Sequence, residues 1–209
     1  GIDVLAVTDH DSCRGAIETR DEAARLGLPL TVVIASEVTT AQGDLIGLFL
    51  KSDPHPADVP ALCDAIHAEG GLVLLPHPCK WHRLDEALLS RVDLVEIYNG
   101  RTGRADNTRA IELARSRSLP ELVGPDAHML DELGLARVEF DGEKPADEAG
   151  LKAALLRTPR RFVMRPGSIW NEWKSQGVKF LRRPSARDAY WLARGALRRI
   201  LKPGEYVVG

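Results

Sequence analysis

The sequence predicts an α/β protein arranged as a β/α barrel, on two observations. Strand-like and helix-like segments alternate through five or more strands, which implies a largely parallel sheet, open or closed. Polar clusters then follow several successive strands, and closed β/α barrels gather their chemistry at that end. A dinucleotide-binding sheet would place Gly-x-Gly-x-x-Gly after its first strand, whereas Thr8-Asp9-His10-Asp11-Ser12 stands here.

The elements follow in order. Residues 2–7 are β-branched and apolar and run into the first polar cluster, so a strand ends there. Ser12 is placed to cap a helix carrying Ala16, Ala23, Ala24 and Leu26, with Gly27 as its stop. Residues 30–35 form the next strand, with Glu37 just past its end. Residues 38–41 are again β-prone, Gln42-Gly43 is a turn, and residues 45–50 are a strand. Residues 58–69 repeat apolar positions at helical spacing (Val59, Leu62, Ala65, Ile66) before Gly70-Gly71. Residues 72–75 are a buried-type strand ending at Pro76-His77-Pro78. A short helix over 84–89, a strand over 94–97, a helix over 105–114 and a strand over 122–124 lead to Asp126-Ala127-His128. Residues 133–140 read as a turn and an edge strand, 148–156 as a helix, 160–164 as a strand and 185–201 as a last helix.

With 209 residues, 22.9 kDa and 44% hydrophobic content, the chain has material for one core and a small appendage. Its apolar runs are strand-sized, too short to cross a bilayer as a helix. Gly1-Ile2-Asp3-Val4 shows neither a basic start nor a cleavage pattern, and Cys13, Cys63 and Cys79 lack knuckle spacing. The expectation is a cytoplasmic protein. The net charge of -2 conceals a division: residues 1–150 carry 14 Lys and Arg against 27 Asp and Glu, and residues 151–209 carry 14 against 3. We therefore expect two units, a barrel over 1–145 and a basic helical extension over 146–209 docked on it.

Three of the six histidines, His10, His77 and His128, fall in strand-end clusters, and Glu37 and Asp126 occupy the same kind of position. Imidazole with carboxylate suits Zn, Mn or Fe, and the absence of paired thiolates argues against a zinc knuckle. Asp126 and His128, two apart in an extended segment, can face the same way. Gathered at one barrel mouth, these residues can hold two metals with Glu37 between them, which makes water a nucleophile near neutral pH. Arg101, Arg104 and Lys80 are candidates for binding phosphate. Asn99 can orient a ligand or substrate, and His82 is a candidate acid for the leaving group.

Thr8-Asp9-His10-Asp11, then Glu37-Val38-Thr39-Thr40 with Gly43-Asp44-Leu45-Ile46-Gly47-Leu48-Phe49, then His77-Pro78, Glu96-Ile97-Tyr98-Asn99 and Asp126-Ala127-His128 stand in the order of motifs in the PHP (polymerase and histidinol phosphatase) family. The chain resembles that family over roughly residues 1–137. The resemblance implies a distorted (β/α)7 barrel holding two or three divalent metal ions (Mn, Zn or Fe) and hydrolysing phosphate esters. It implies metal ligands at His10, Glu37, His77, Asp126 and His128, with Asp44 in a slot often held by histidine. Glu37, Asp126, His128, Arg101 and Asn99 are then the expected catalytic set. The family opens with a His-x-His strand that has no counterpart here, so the expected barrel is incomplete at its N-terminus.

The expected activity is hydrolysis of a small phosphomonoester or nucleotide by metal-activated water. The alternatives are a short-oligonucleotide exonuclease of the same family and a non-catalytic barrel acting as a binding module. Over 185–201, Ala189, Leu192, Ala193, Ala196, Leu197, Ile200 and Leu201 recur at helical spacing among arginines. That helix is expected to dock on the barrel or on a second copy in a homo-oligomer; weak membrane-surface association and nucleic-acid binding are the other partners its charge allows.

Overall fold

The structure, a computed structural model, describes residues 1–55, 58–142 and 144–182. The helix expected over 185–201 lies outside the described residues. Six strands form one sheet in sequence order: β1 (Val4–Val7), β2 (Thr31–Thr40), β3 (Gly43–Leu48), β4 (Leu72–Leu75), β5 (Leu94–Asn99) and β6 (Glu121–Gly124). β1–β2, β4–β5 and β5–β6 pair in parallel, while β2–β3 and β3–β4 pair antiparallel. Two further strands, β7 (Ala136–Phe140) and β8 (Arg160–Met164), make an antiparallel ribbon beside β6 and join residues on either side of position 145. The sheet curls as a half barrel, and among the described residues no pairing of β1 with β6 closes it.

Two expectations are corrected here. The sheet is mixed rather than largely parallel, because Ala41-Gln42, between the paired Thr40 and Gly43, folds β2 and β3 into a hairpin, and a two-residue turn can only join antiparallel strands. Glu37 lies inside a strand and not past its end: β-branched Val38, Thr39 and Thr40 carry β2 on to pair with β3 in full register.

The helices are α1 (Arg14–Arg25), α2 (Val59–Ala68), α3 (Glu86–Leu89), α4 (Arg104–Arg117), α5 (Glu148–Arg157) and α6 (Ile169–Arg182). α2 shows why such segments fold. The Asp58 side chain accepts the Ala61 N–H at 2.9 Å, Pro60 occupies the first turn, and Val59, Leu62, Cys63 and Ile66 form one buried stripe. α1 begins after Cys13, and Ser12 contributes by accepting the Arg14 N–H at 3.2 Å. No helix among the described residues is long and apolar enough to cross a membrane.

Strand alternation sorts the core into two clusters. Val38, Leu45, Val73, Leu75, Val95 and Ile97 pack against α2, α3 and α4 on one face. Val33, Ala35, Ile46, Leu48, Leu72, Leu74 and Leu94 share the other face, with Leu151 of α5 packed on them. The parity of that second face continues along the strands to Glu37, Asp44 and Glu96, so the same alternation that builds the core delivers three carboxylates to one side of the sheet.

Candidate metal centre

In the β2–β3 hairpin Glu37 faces Ile46 and Thr39 faces Asp44, which places Glu37 and Asp44 as diagonal neighbours on one face. β4 pairs antiparallel with β3, Ile46 against Leu74. Continuing that register past Leu75 sets Pro76 opposite Asp44, so His77 turns off at the start of β3, close to Asp44. One ligand atom each from Glu37, Asp44 and His77 lies within 4.8 Å of the others. His77 Nε2 is 3.1 Å from one Glu37 oxygen, and His10 Nε2 is 3.8 Å from the other. His10 reaches that position because its backbone bridges to Glu37 as β1 runs past its last paired residue.

Asp126 and His128 lie outside this group of three, on the loop that follows β6. The His128 ring turns back on its own loop, with Nδ1 3.0 Å from the Asp126 carbonyl oxygen and 3.4 Å from its carboxylate. Asn99 is buried at the end of β5. Its amide nitrogen donates to Glu96 at 3.1 Å, while its side-chain oxygen accepts from the Arg101 N–H and the Thr102 hydroxyl. Arg101 does not face open solvent. Its Nε donates to the Asp126 carbonyl at 2.7 Å, and its terminal nitrogens donate to Ser175 and to Glu132. Arg104 is exposed at the start of α4 and Lys80 is half-buried. His82 sets its two ring nitrogens 2.7 and 3.1 Å from the carbonyl oxygens of Asp44 and Lys80, which ties the loop after His77 to β3. Gly43 makes room for that ring: a Cβ there would come within 2.4 Å of it, at φ +120.

In the polar clusters that follow β1, β4 and β6, Asp11 (56), His77 (29) and Asp126 (50) hold positive φ. Such conformations cost of order 1–3 kcal/mol each and persist where surrounding contacts over-determine them. Glu96 does this for His77. Its Oε2 accepts the His77 backbone N–H at 2.8 Å and the Asn99 amide at 3.1 Å, and a Cβ on Gly124 would meet its other oxygen at 2.5 Å. Sequence reasoning placed Glu96 only in a motif, and Glu132 not at all. The signal for Glu96 was a carboxylate two residues after a buried leucine in a fully apolar strand, which demands a partner.

The donor set fits divalent metal ions. Two carboxylates and an imidazole converge, and crowded carboxylates in a partly buried site need a compensating cation. The buried Nδ1 of His77 has no hydrogen-bond partner among the described residues. Burial works to lower the His77 imidazole, but the hydrogen bond it donates to Glu37 and the charges of Glu96 and Glu37 outweigh it, so the ring sits above its ordinary value.

Burial pushes the Glu96 carboxyl up to about 7. A group whose folded value lies above its unfolded one contributes stability below the unfolded value and loses it as pH rises through the folded one. For the metal-free protein we expect Glu96 to remove up to about 3 kcal/mol of stability between pH 4.5 and 8. Glu96→Gln, whose amide oxygen can still accept from His77 and Asn99, should flatten that slope. Urea unfolding of both proteins in chelator at pH 5 and pH 8 measures the difference, and equal slopes would show that Glu96 stays ionised in the fold.

A family model described as PHP-associated matches residues 104–158. Two uncharacterized proteins of Methanocaldococcus jannaschii match this chain. One is 38% identical over 105 residues, covering 47% of this chain and 59% of the relative; the other is 30% identical over 158 residues, covering 67% of each. The matches thus span roughly three-fifths and two-thirds of those curated relatives' length. The crystal structure of a two-domain protein from Bacteroides vulgatus, containing a predicted PHP-like metal-dependent phosphoesterase, superposes with a TM-score of 0.63 at 18% identity. It covers 79% of this chain and 57% of that one, and establishes likeness of fold.

Proposed function

Because the chain belongs to the PHP family, we propose that it is a metal-dependent phosphoesterase acting on a small phosphomonoester or nucleotide. The observation that carries this reading is the convergence of Glu37 in β2, Asp44 in β3 and His77 just past β4 within 4.8 Å, with His10 beside Glu37. The proposed ligand set is His10, Glu37, Asp44, His77, Asp126 and His128, whose mixed nitrogen and oxygen donors suit Mn, Zn or Fe. When bound, such ions make water a nucleophile near neutral pH and stabilise charge on a transferring phosphoryl group.

The chain's own residues divide the remaining work. Glu37 presents one oxygen to His77 and the other toward His10, so a single carboxylate links the two histidines. Asn99 and Glu96 fix the backbone of the His77 turn. Arg101, with its donors committed to Asp126, Ser175 and Glu132, acts on the loop that carries Asp126 and His128. Binding of the substrate's phosphate then falls to Arg104, exposed at the start of α4, and to Lys80, three residues after His77.

Rates with p-nitrophenyl phosphate and a panel of nucleotides, measured during Mn²⁺ titration and again after chelation, test the proposal. Turnover that rises with metal and disappears with chelator is the expected result. Protein that binds the metal yet turns over none of these esters would instead be a non-catalytic binding module.

A further inference from the structure

Behind the proposed ligands the hydrogen bonds form one continuous chain. It runs from the His77 N–H through Glu96 and Asn99 to Arg101, and from Arg101 through Glu132 to the His128 N–H. We infer that the buried pair Arg101–Glu132 is a positioning device for Asp126-Ala127-His128, setting both the backbone of that loop and the tautomer of the His128 ring. The inference rests on the metal-centre reading above and assigns Arg101 a role other than phosphate binding.

Glu132 is 3% exposed, on a single 3₁₀ turn over Leu130–Glu132, and its Oε2 accepts from the backbone N–H groups of His128 (2.8 Å) and Met129 (3.1 Å) and from Arg101 (3.0 Å). The Arg101 Nε holds the other end of the tripeptide through the Asp126 carbonyl at 2.7 Å. Asp126 carries a positive φ of 50, a conformation that must be enforced by its surroundings, and this pair grips both sides of it. The same carbonyl faces His128 Nδ1 at 3.0 Å. A carbonyl oxygen has no proton to give, so in the neutral ring Nδ1 carries the hydrogen and Nε2 the lone pair. Arg101 orients the carbonyl that selects this tautomer, which is how outer groups prepare a histidine for a metal. Arg101 also reaches Ser175 on α6 at 3.0 Å, so the helix is fastened to the same device.

The experiment compares Mn²⁺ affinity by calorimetry, and amide hydrogen exchange over residues 126–132, in wild type, Glu132→Gln, Arg101→Ala and Arg101→Lys. The lysine keeps a charge beside Glu132, and so the fold, but loses the fork that reaches Asp126 and Ser175 together. Leu151→Ala, in the core cluster packed by α5, is the control for stability alone. Expected is an affinity lower by roughly 10–100-fold in the three pair variants, with faster exchange at the His128 and Met129 amides. Leu151→Ala should stay within about twofold of wild type despite its lower melting temperature, since an outer-group effect on the ligands is local. Unchanged affinity in the pair variants, or an equal loss in Leu151→Ala, overturns the inference alone. A wild type that binds no Mn²⁺ overturns the metal-centre reading and this inference together.

Discussion

Glu37→Gln is expected to lose metal-supported hydrolysis by roughly 10³-fold or more, because the charge stabilisation supplied through bound metal is worth several kcal/mol. Glu37 lies between two proposed histidine ligands, 3.1 Å from His77 Nε2 and 3.8 Å from His10 Nε2. Its amide replacement keeps the size but offers a single neutral oxygen, so it cannot serve both neighbours or offset a cation. The fold should survive, since Val33, Ala35 and Val38 in the same strand retain their packing. Elemental analysis of the purified variant, with initial rates at saturating substrate, separates lost metal from lost chemistry. Rates within tenfold of wild type at full metal content would remove Glu37 from the reaction.

Leu75→Ala is expected to cost about 2–5 kcal/mol of stability, or roughly 5–15 °C in melting temperature for a chain of this size. Leu75 is fully buried in β4, within the cluster that joins the sheet to α2, α3 and α4. The close-packed interior cannot collapse freely around the lost atoms, so a cavity adds to the transfer cost. Leu75 also lies two residues before His77, so loosening it should blur the turn that Glu96 holds. Urea unfolding in chelator measures the first effect and Mn²⁺ affinity the second. A cost below about 1 kcal/mol would mean that this face is not tightly packed, contrary to the burial seen here.

How much of this was legible beforehand differs between residues. The strands of buried leucine and valine and the stripe of α2 announce themselves, because periods of two and 3.6 are local consequences of backbone geometry. His10, His77, Asp126 and His128 were likewise marked by standing directly after apolar strands. The largely parallel sheet expected from the strand–helix alternation gave way to a mixed one, because the short turn before Gly43 joins β2 to β3 with no helix between them. Arg101 looked like a free cation because its partner Glu132 lies 31 residues away, and nothing local marks such a pair.

By itself, the sequence determined which segments alternate, which faces they bury and which polar residues reach the strand ends, since these depend on short-range periodicity. Tertiary structure alone decided which of those residues meet. Antiparallel register sets Asp44 diagonally beside Glu37, the turn after β4 brings His77 to both, and a buried guanidinium joins the β5 end to the Asp126–His128 loop. The physical reason is that desolvated charges must find partners wherever the packed chain brings them, at sequence distances that no local pattern encodes.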